Sequence, residues 1–217
     1  MTYDAEWFGA IADGSAASAE AVAPCINALL GGAADWPLSV LDVGCGTGTW
    51  AAQWLDADGV DGEWIPRDQL RIPIDRFHVA DLTRPLDMGR RYDVVLCVEV
   101  GEHLPESAAS TLVASLCRHA DTIVFSAAVA GQGGPGHINE QDPDYWAALF
   151  APHGYRPYDL LRDLIWDDGR IEPWYRQNIL VYATDVVAAW RRWTPAQTLL
   201  RPHPAMLAPG TWSGDAR

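Results

Sequence analysis

The sequence predicts an α/β fold, a mostly parallel sheet with helices on both faces. Three observations carry the prediction. The apolar run from Leu38 to Val43 ends in the turn Gly44-Cys45-Gly46-Thr47-Gly48, as a buried parallel strand entering a tight turn does. Further β-rich apolar runs lie at residues 76–80, 93–100 and 122–128, separated by stretches long enough for crossovers. Between the last two, Pro105 suits a first helical turn, and Ala109, Leu112, Val113, Leu116, Cys117 and Ala120 share one side, which completes a βαβ unit.

The remaining elements follow in chain order. Residues 20–30 place Ala21, Val22, Cys25, Ile26, Leu29 and Leu30 on one helical face, with a kink or restart predicted at Pro24. After the glycine turn comes a short helix over residues 49–55. A helix from Pro143 to Phe150 stops near Gly154. The apolar runs 158–166 and 174–184 are predicted as two final strands joined by the turn 167–170 and paired antiparallel at the sheet edge. From Val186 a short tryptophan-containing helix gives way to an extended segment carrying Pro195, Pro202, Pro204 and Pro209. The expected organisation is an N-terminal helical cap (1–35), a central domain (36–184) and a C-terminal helix with an extended tail (185–217).

Composition narrows the function. A chain of 217 residues, 49% of them hydrophobic, can bury a core for one compact unit. Fifteen basic against 29 acidic residues give a net charge of −14, which opposes attraction to nucleic acid or anionic membrane. No run approaches the roughly twenty apolar residues of a membrane span, and the N-terminus lacks a signal-peptide layout. A cytoplasmic location is expected. Cys25, Cys45, Cys97 and Cys117 are widely separated and are read as free thiols.

The glycine turn carries the first chemistry. Its glycines permit close backbone approach, and the following helix start offers free N–H groups, so the turn can cradle a carboxylate or a ribose. Thr49 stands where a dinucleotide fingerprint needs glycine, which points away from a dehydrogenase. Asp61, ending a second strand, is placed to bind ribose hydroxyls, and Asp81, ending a third, to accept from an adenine amino group; both also suit ordinary turns. Only twelve residues separate Gly48 from Asp61, so either the first helix or the second strand must be curtailed. Trp64 could stack on adenine or cap the core, and the core role is favoured.

The segments VLDVGCGTGTW, GVDG, ADL and YDVVLCVEVGEHLP stand in the order found in class I S-adenosylmethionine-dependent methyltransferases, which the chain resembles over about residues 36–184. The resemblance implies a Rossmann-like seven-stranded sheet with a C-terminal antiparallel hairpin and S-adenosylmethionine as cofactor. It carries cofactor contacts onto Gly44, Gly46, Gly48, Asp61 and Asp81, and the flanking Asp42, Cys45, Leu82 and Val98 complete the expected set.

The fourth strand leads into Glu99, Glu102 and His103, where two carboxylates and an imidazole could converge on one cation, with His137 as a fourth ligand. This element is similar to that of metal-assisted O-methyltransferases, including small-RNA 2′-O- and ubiquinone-pathway enzymes, and implies Mg²⁺ bound by Glu99, Glu102, His103 and His137. Without metal, His103 or His137, beside Glu99, would act as general base; both routes predict O-methylation. A role in ordering the loop is the third possibility.

Residues 126–141 form a glycine-rich substrate loop in which Gln132, His137, Asn139, Glu140 and Gln141 could bind a polyol-like acceptor. Of Trp146, Trp166 and Trp174, the last is the best ligand contact, flanked by Tyr175, Arg176 and Gln177. The sequence therefore favours methylation of a hydroxyl on a small molecule or glycan. Two alternatives stand beside it: an RNA 2′-O-methyltransferase, which the charge opposes, and a cofactor-binding pseudoenzyme or regulatory subunit.

Overall fold

The computed structural model describes residues 5–31 and 37–207, with side chains from residue 14 onward. Pro209 and the rest of the C-terminal segment lie outside the described residues. Thirteen of the elements frame the site: α1 (Ala5–Leu30), β1 (Ser39–Val43), β2 (Asp56–Asp61), β3 (Phe77–Val79), β4 (Val94–Val98), α2 (Ala109–His119), β5 (Thr122–Ser126), α3 (Pro143–Phe150), β6 (Tyr155–Tyr158), α4 (Arg162–Ile165), α5 (Pro173–Asn178), β7 (Leu180–Thr184) and α6 (Asp185–Arg191). The seven strands form one sheet in the order β3-β2-β1-β4-β5-β7-β6. β1 to β5 pair parallel, whereas β7 runs antiparallel to both β5 and β6.

Two apolar layers sandwich the sheet. On one face Val22 and Ile26 of α1 pack with Val40, Trp50 and Ile179; on the other Leu112 and Leu116 of α2 pack with Phe150 and Tyr182. Because β1 has β2 on one side and β4 on the other, the chain winds outward in both directions from it. That arrangement opens a crevice at the carboxyl ends of β1 and β4, where open α/β sheets bind ligands. No helix among the described residues is long and apolar enough to cross a membrane.

Several local expectations need correction. Helix α1 begins before residue 20 and continues through Pro24 without a break. An interior proline costs about 3 kcal/mol, but complete burial of Val22 and Ile26, at about 1.5–3 kcal/mol each, offsets it. The helix expected over 49–55 is reduced to a 3-10 turn, Ala51–Gln53, while β2 keeps six residues. The short path to Asp61 is thus met by losing helix.

The two final runs do not form a hairpin joined at 167–170. Instead β6 ends at Tyr158 and α4 follows, with Leu161 and Ile165 buried at helical spacing. Pro173 begins α5, so residues 174–184 are half helix and half strand. Arg162 drives the departure. It is buried, paired with Asp159, and donates to the carbonyls of Gln177 and Leu199, which pins α4, α5 and the tail together. The tail itself is docked, with Leu199 and His203 buried.

Candidate active site

The glycine turn closes over the end of β2. Gly44 and Cys45 both donate their N–H to the Val60 carbonyl, at 2.8 and 3.2 Å. Gly44 adopts φ +79°, and a methyl group there would lie 2.3 Å from Val100 Cγ2, so only glycine fits. Beneath the turn, buried Asp42 accepts from Ala51 N at 3.1 Å, and burial raises its pKa to about 7. Asp61 accepts from Gly46 N at 2.7 Å and from Gly62 N at 2.6 Å, with burial pushing its pKa upward. Asp81 is exposed; its Oδ1 accepts from the Thr83 hydroxyl and backbone N–H, and these bonds hold its pKa below the usual range.

A cavity of about 370 Å³ runs from this turn to the end of β4. Gly44, Cys45, Gly46, Asp61, Asp81, Leu82 and Val98 line its near half. Asp42 and Gly48 do not line it: Asp42 supports the turn from below, and Gly48 packs on Ile72. Trp64 is 56% exposed and lines the cavity, which corrects its expected place in the core. Its ring lies over Gly62, where any side chain would collide with it.

The far half holds the titratable groups. Glu99 follows β4 in the left-handed region, φ +56°, a strained conformation for a residue with a side chain. Its N–H donates to Ser126 Oγ, and its carboxylate accepts from Asn178 Nδ2 at 3.2 and 3.4 Å. The sharp bend delivers Gly101–His103 as a 3-10 turn. Glu102 is fully buried; its carboxyl lies beside that of Glu99 and the backbone N–H groups of Glu102 and Ala128, without a well-formed hydrogen bond among the described residues. Burial, reinforced by the Glu99 charge, pushes its pKa well above the ordinary carboxyl range.

His103 Nδ1 lies 3.3 Å from the Gly136 carbonyl, which can only accept, so Nδ1 carries the ring proton and Nε2 the lone pair. Burial, then the neighbouring His137, lowers its pKa to about 4, and the ring is neutral at pH 7. The His137 ring stands edge-on to it, centroids 5.0 Å apart. Ligating atoms of Glu102, His103 and His137 all lie within 4.8 Å of one another. Of the four expected ligands the structure gathers these three, while Glu99 is held by Asn178 outside the group.

The glycine-rich loop is stapled to this centre. Ile138 N and Asn139 N donate to the Glu102 carbonyl, Asn139 Nδ2 to Gly101 O, and Gln141 N to Ala128 O. Asn139, Glu140 and Gln141 therefore bind protein, and only Gln132 and His137 of the five polar candidates line the cavity. Trp174 lines it, whereas Trp146 is core against Gly101, and Trp166 packs on Arg201 and His203. Ser15 of α1 and Tyr175 also face the cavity. Ser15 is a polar interruption of a largely apolar helix, a signal that could have marked α1 as a cavity wall, whereas the buried Ser18 accepts from Glu172 N.

A methyltransferase-domain family model matches residues 19–126, about half the chain, spanning the glycine turn, both aspartates and Glu99 to His103. The chain belongs to the class I S-adenosylmethionine-dependent methyltransferases. Solved methyltransferase folds resemble it along most of their length. DesVI from Streptomyces venezuelae is 18% identical, with a TM-score of 0.59 over 84% of this chain and 97% of that one. The sugar N-methyltransferase KedS8 from Streptoalloteichus is 18% identical, TM-score 0.63, covering 85% and 94%. The amino-pentose methyltransferase CalS10 from Micromonospora echinaspora is 18% identical, TM-score 0.55, covering 83% and 97%. At this identity the likeness carries the fold. No curated protein matches this methyltransferase significantly.

Proposed function

We propose that this methyltransferase moves the methyl group of S-adenosylmethionine to a hydroxyl of a neutral small molecule or glycan, with a divalent cation held by Glu102, His103 and His137. The observation that carries the reading is the buried Glu102 carboxyl, which lies beside Glu99 without a well-formed hydrogen bond among the described residues and within ligating distance of two imidazoles. An orphaned buried carboxyl costs several kcal/mol unless something pairs with it, and a cation does so. One carboxylate with two imidazoles suits a transition metal such as Mn²⁺ at least as well as Mg²⁺.

On the donor side the Gly44–Gly46 backbone would hold the amino-acid end, Asp61 the ribose hydroxyls and Asp81 the adenine amino group, with Cys45, Leu82 and Val98 as walls; all of these line the cavity. The donor supplies an electrophilic sulfonium methyl, and the cation charge that lowers the acceptor hydroxyl's pKa. The acceptor hydroxyl would lose its proton to solvent water, and its oxygen would take the methyl as the S–CH₃ bond breaks, leaving S-adenosylhomocysteine. Glu102, His103 and His137 set where the acceptor oxygen stands; positioning of this kind supplies much of a barrier reduction.

The cavity wall favours a neutral acceptor. Asp61, Asp81, Glu99 and Glu102 line it, and no arginine or lysine does among the described residues, which repels phosphate groups. This weighs against RNA. The sugar and amino-pentose methyltransferases among the fold neighbours support a sugar-like acceptor, with Trp174 available to stack on a ring.

Calorimetry with S-adenosylmethionine is the first test, and absence of binding would sink the whole reading in favour of a non-catalytic role. Methyl transfer to a panel of hydroxylated and amino sugars follows, before and after chelation and with Mg²⁺ or Mn²⁺ restored. Chelator-insensitive turnover would return proton removal to His103 and His137; exclusive turnover of amines would overturn O-methylation.

A further inference from the structure

Glu140, first read as a substrate-binding residue, has a different place in the structure. Its Oε2 accepts from Gly131 N at 3.0 Å, and its Oε1 accepts from Gly133 N at 2.7 Å and meets His137 Nδ1 at 2.8 Å. Its side chain is only 18% exposed, and that of His137 10%. One carboxylate thus gathers a chain reversal of ten residues. Gly131, Gly133 and Gly136 all have positive φ, and a methyl group on Gly134 would fall 2.3 Å from the His137 ring. The glycines let the backbone wrap the imidazole closely enough for Glu140 to hold it.

We propose that Glu140 is the positioning residue of this site: it folds the glycine-rich loop and fixes His137 as the Nδ1–H tautomer, so that Nε2 is the nitrogen offered to the cation. The reasoning is one of donors and acceptors. A carboxylate oxygen already accepting a backbone N–H can only accept from the imidazole, so the ring proton sits on Nδ1. The ligating role then falls to Nε2. A carboxylate behind a metal-binding histidine orients the ring and raises its basicity, and loss of such a partner typically costs 10–100-fold in metal affinity. His103 is fixed in the same sense by the Gly136 carbonyl of the same loop. Both imidazoles are therefore set by one segment.

The metal part of this inference rests on the function proposed above; the tautomer part does not. The test compares wild type with Glu140→Gln and Glu140→Ala. In Glu140→Gln the amide oxygen can keep Gly133 and His137, while its nitrogen meets the Gly131 N–H donor to donor, so the imidazole restraint survives and the loop loses one bond. Nitrogen-15 NMR, with the His137 signal assigned by its loss in His137→Asn, should show the Nδ1–H form in wild type and Glu140→Gln and a shift toward Nε2–H in Glu140→Ala. The Mn²⁺ dissociation constant should rise about 10–100-fold in Glu140→Ala and less in Glu140→Gln, with S-adenosylmethionine affinity unchanged within about twofold. An Nε2–H wild type, or an unchanged tautomer in Glu140→Ala, overturns the proposal. Loss of donor affinity together with the tautomer shift also overturns it, because the residue then merely holds the fold. If wild type binds no Mn²⁺, the metal reading fails, and the tautomer shift by itself decides the role of Glu140.

Discussion

The two halves of the cavity are built in different ways. The half near β1 is made of backbone: glycine N–H groups, a positive-φ turn and carboxylates whose oxygens are tied to neighbouring amides. The half near β4 is made of side chains from separate stretches of chain: Glu102 and His103 from a 3-10 turn, His137 from a loop 34 residues further on, and Asn178 from α5. Backbone recognition tolerates most side-chain change but not a lost glycine. Side-chain recognition fails one residue at a time. Both halves bury a carboxyl group, yet Asp42 is hydrogen-bonded by Ala51 and lies outside the cavity, whereas Glu102 lines the cavity and has no well-formed hydrogen bond among the described residues, which assigns support to the first and chemistry to the second.

The largest expected effect tests that division. Glu102→Gln keeps shape and removes the charge, so turnover on whichever acceptor is methylated should fall about 10²–10⁴-fold, the range of a lost catalytic group. Donor affinity measured by calorimetry should stay within about threefold. A comparable loss of donor affinity would show that the two halves are one unit.

Next comes the buried carboxyl of the donor half. Asp42 has a folded-state pKa near 7 against about 4 unfolded, so the folded protein holds the proton more tightly. Its contribution to stability is therefore present below about pH 4 and is lost as pH rises through 7. At about 1.4 kcal/mol per unit the full swing is on the order of 4 kcal/mol. Asp42→Asn keeps an acceptor for Ala51 N–H and removes the titration. The melting temperature of wild type, relative to Asp42→Asn, should decline between pH 4 and pH 7; a constant difference would mean that Asp42 is not protonated by its burial. Smaller still is Gly44→Ala, which combines a left-handed backbone with the approach to Val100. It should weaken donor affinity about tenfold, with circular dichroism confirming an intact fold; strain of this kind costs on the order of 1–3 kcal/mol.

The same contrast explains what could be read from the sequence. β1, β4 and β5 were legible because each is a short apolar run bounded by turn residues, and Asp81 because it follows such a run, whereas the strand that ends at Asp61 is half acidic and Asp61 was legible through the order of motifs that carries the resemblance. The partner of Asp61, the Gly46 N–H, is implied by the glycine pattern itself. By contrast Glu140 reads as one more polar residue of a loop, since its role depends on three groups that meet only when the loop closes. Asn178 sits in a run that looks like strand, and Pro173 at the helix start together with the buried Arg162, bonded to the carbonyl of Gln177, accounts for its helical part. Metal-like residues were visible at Glu99, Glu102 and His103, but the left-handed turn at Glu99, which sets its carboxylate on Asn178, left no mark in the local pattern.

The smallest expected effect, that of Asp81→Asn, is read against its partner on the donor side, Asp61. Asp61 spends one oxygen on Gly46 N and the other on Gly62 N, so Asp61→Asn must set its amide nitrogen against one of these donors. Asp81 places both Thr83 contacts on Oδ1 and is exposed, so Asp81→Asn can keep them with its own oxygen. A mispaired buried donor costs about 1–3 kcal/mol, whereas exchange of an exposed acceptor costs about 0.5–1.5 kcal/mol at most. Calorimetry with S-adenosylmethionine should therefore show a dissociation constant raised roughly five- to a hundredfold for Asp61→Asn and only about two- to tenfold for Asp81→Asn. If Asp81→Asn proved the more damaging, the exposed aspartate would be the stronger donor contact, and the backbone-bound Asp61 would serve the turn.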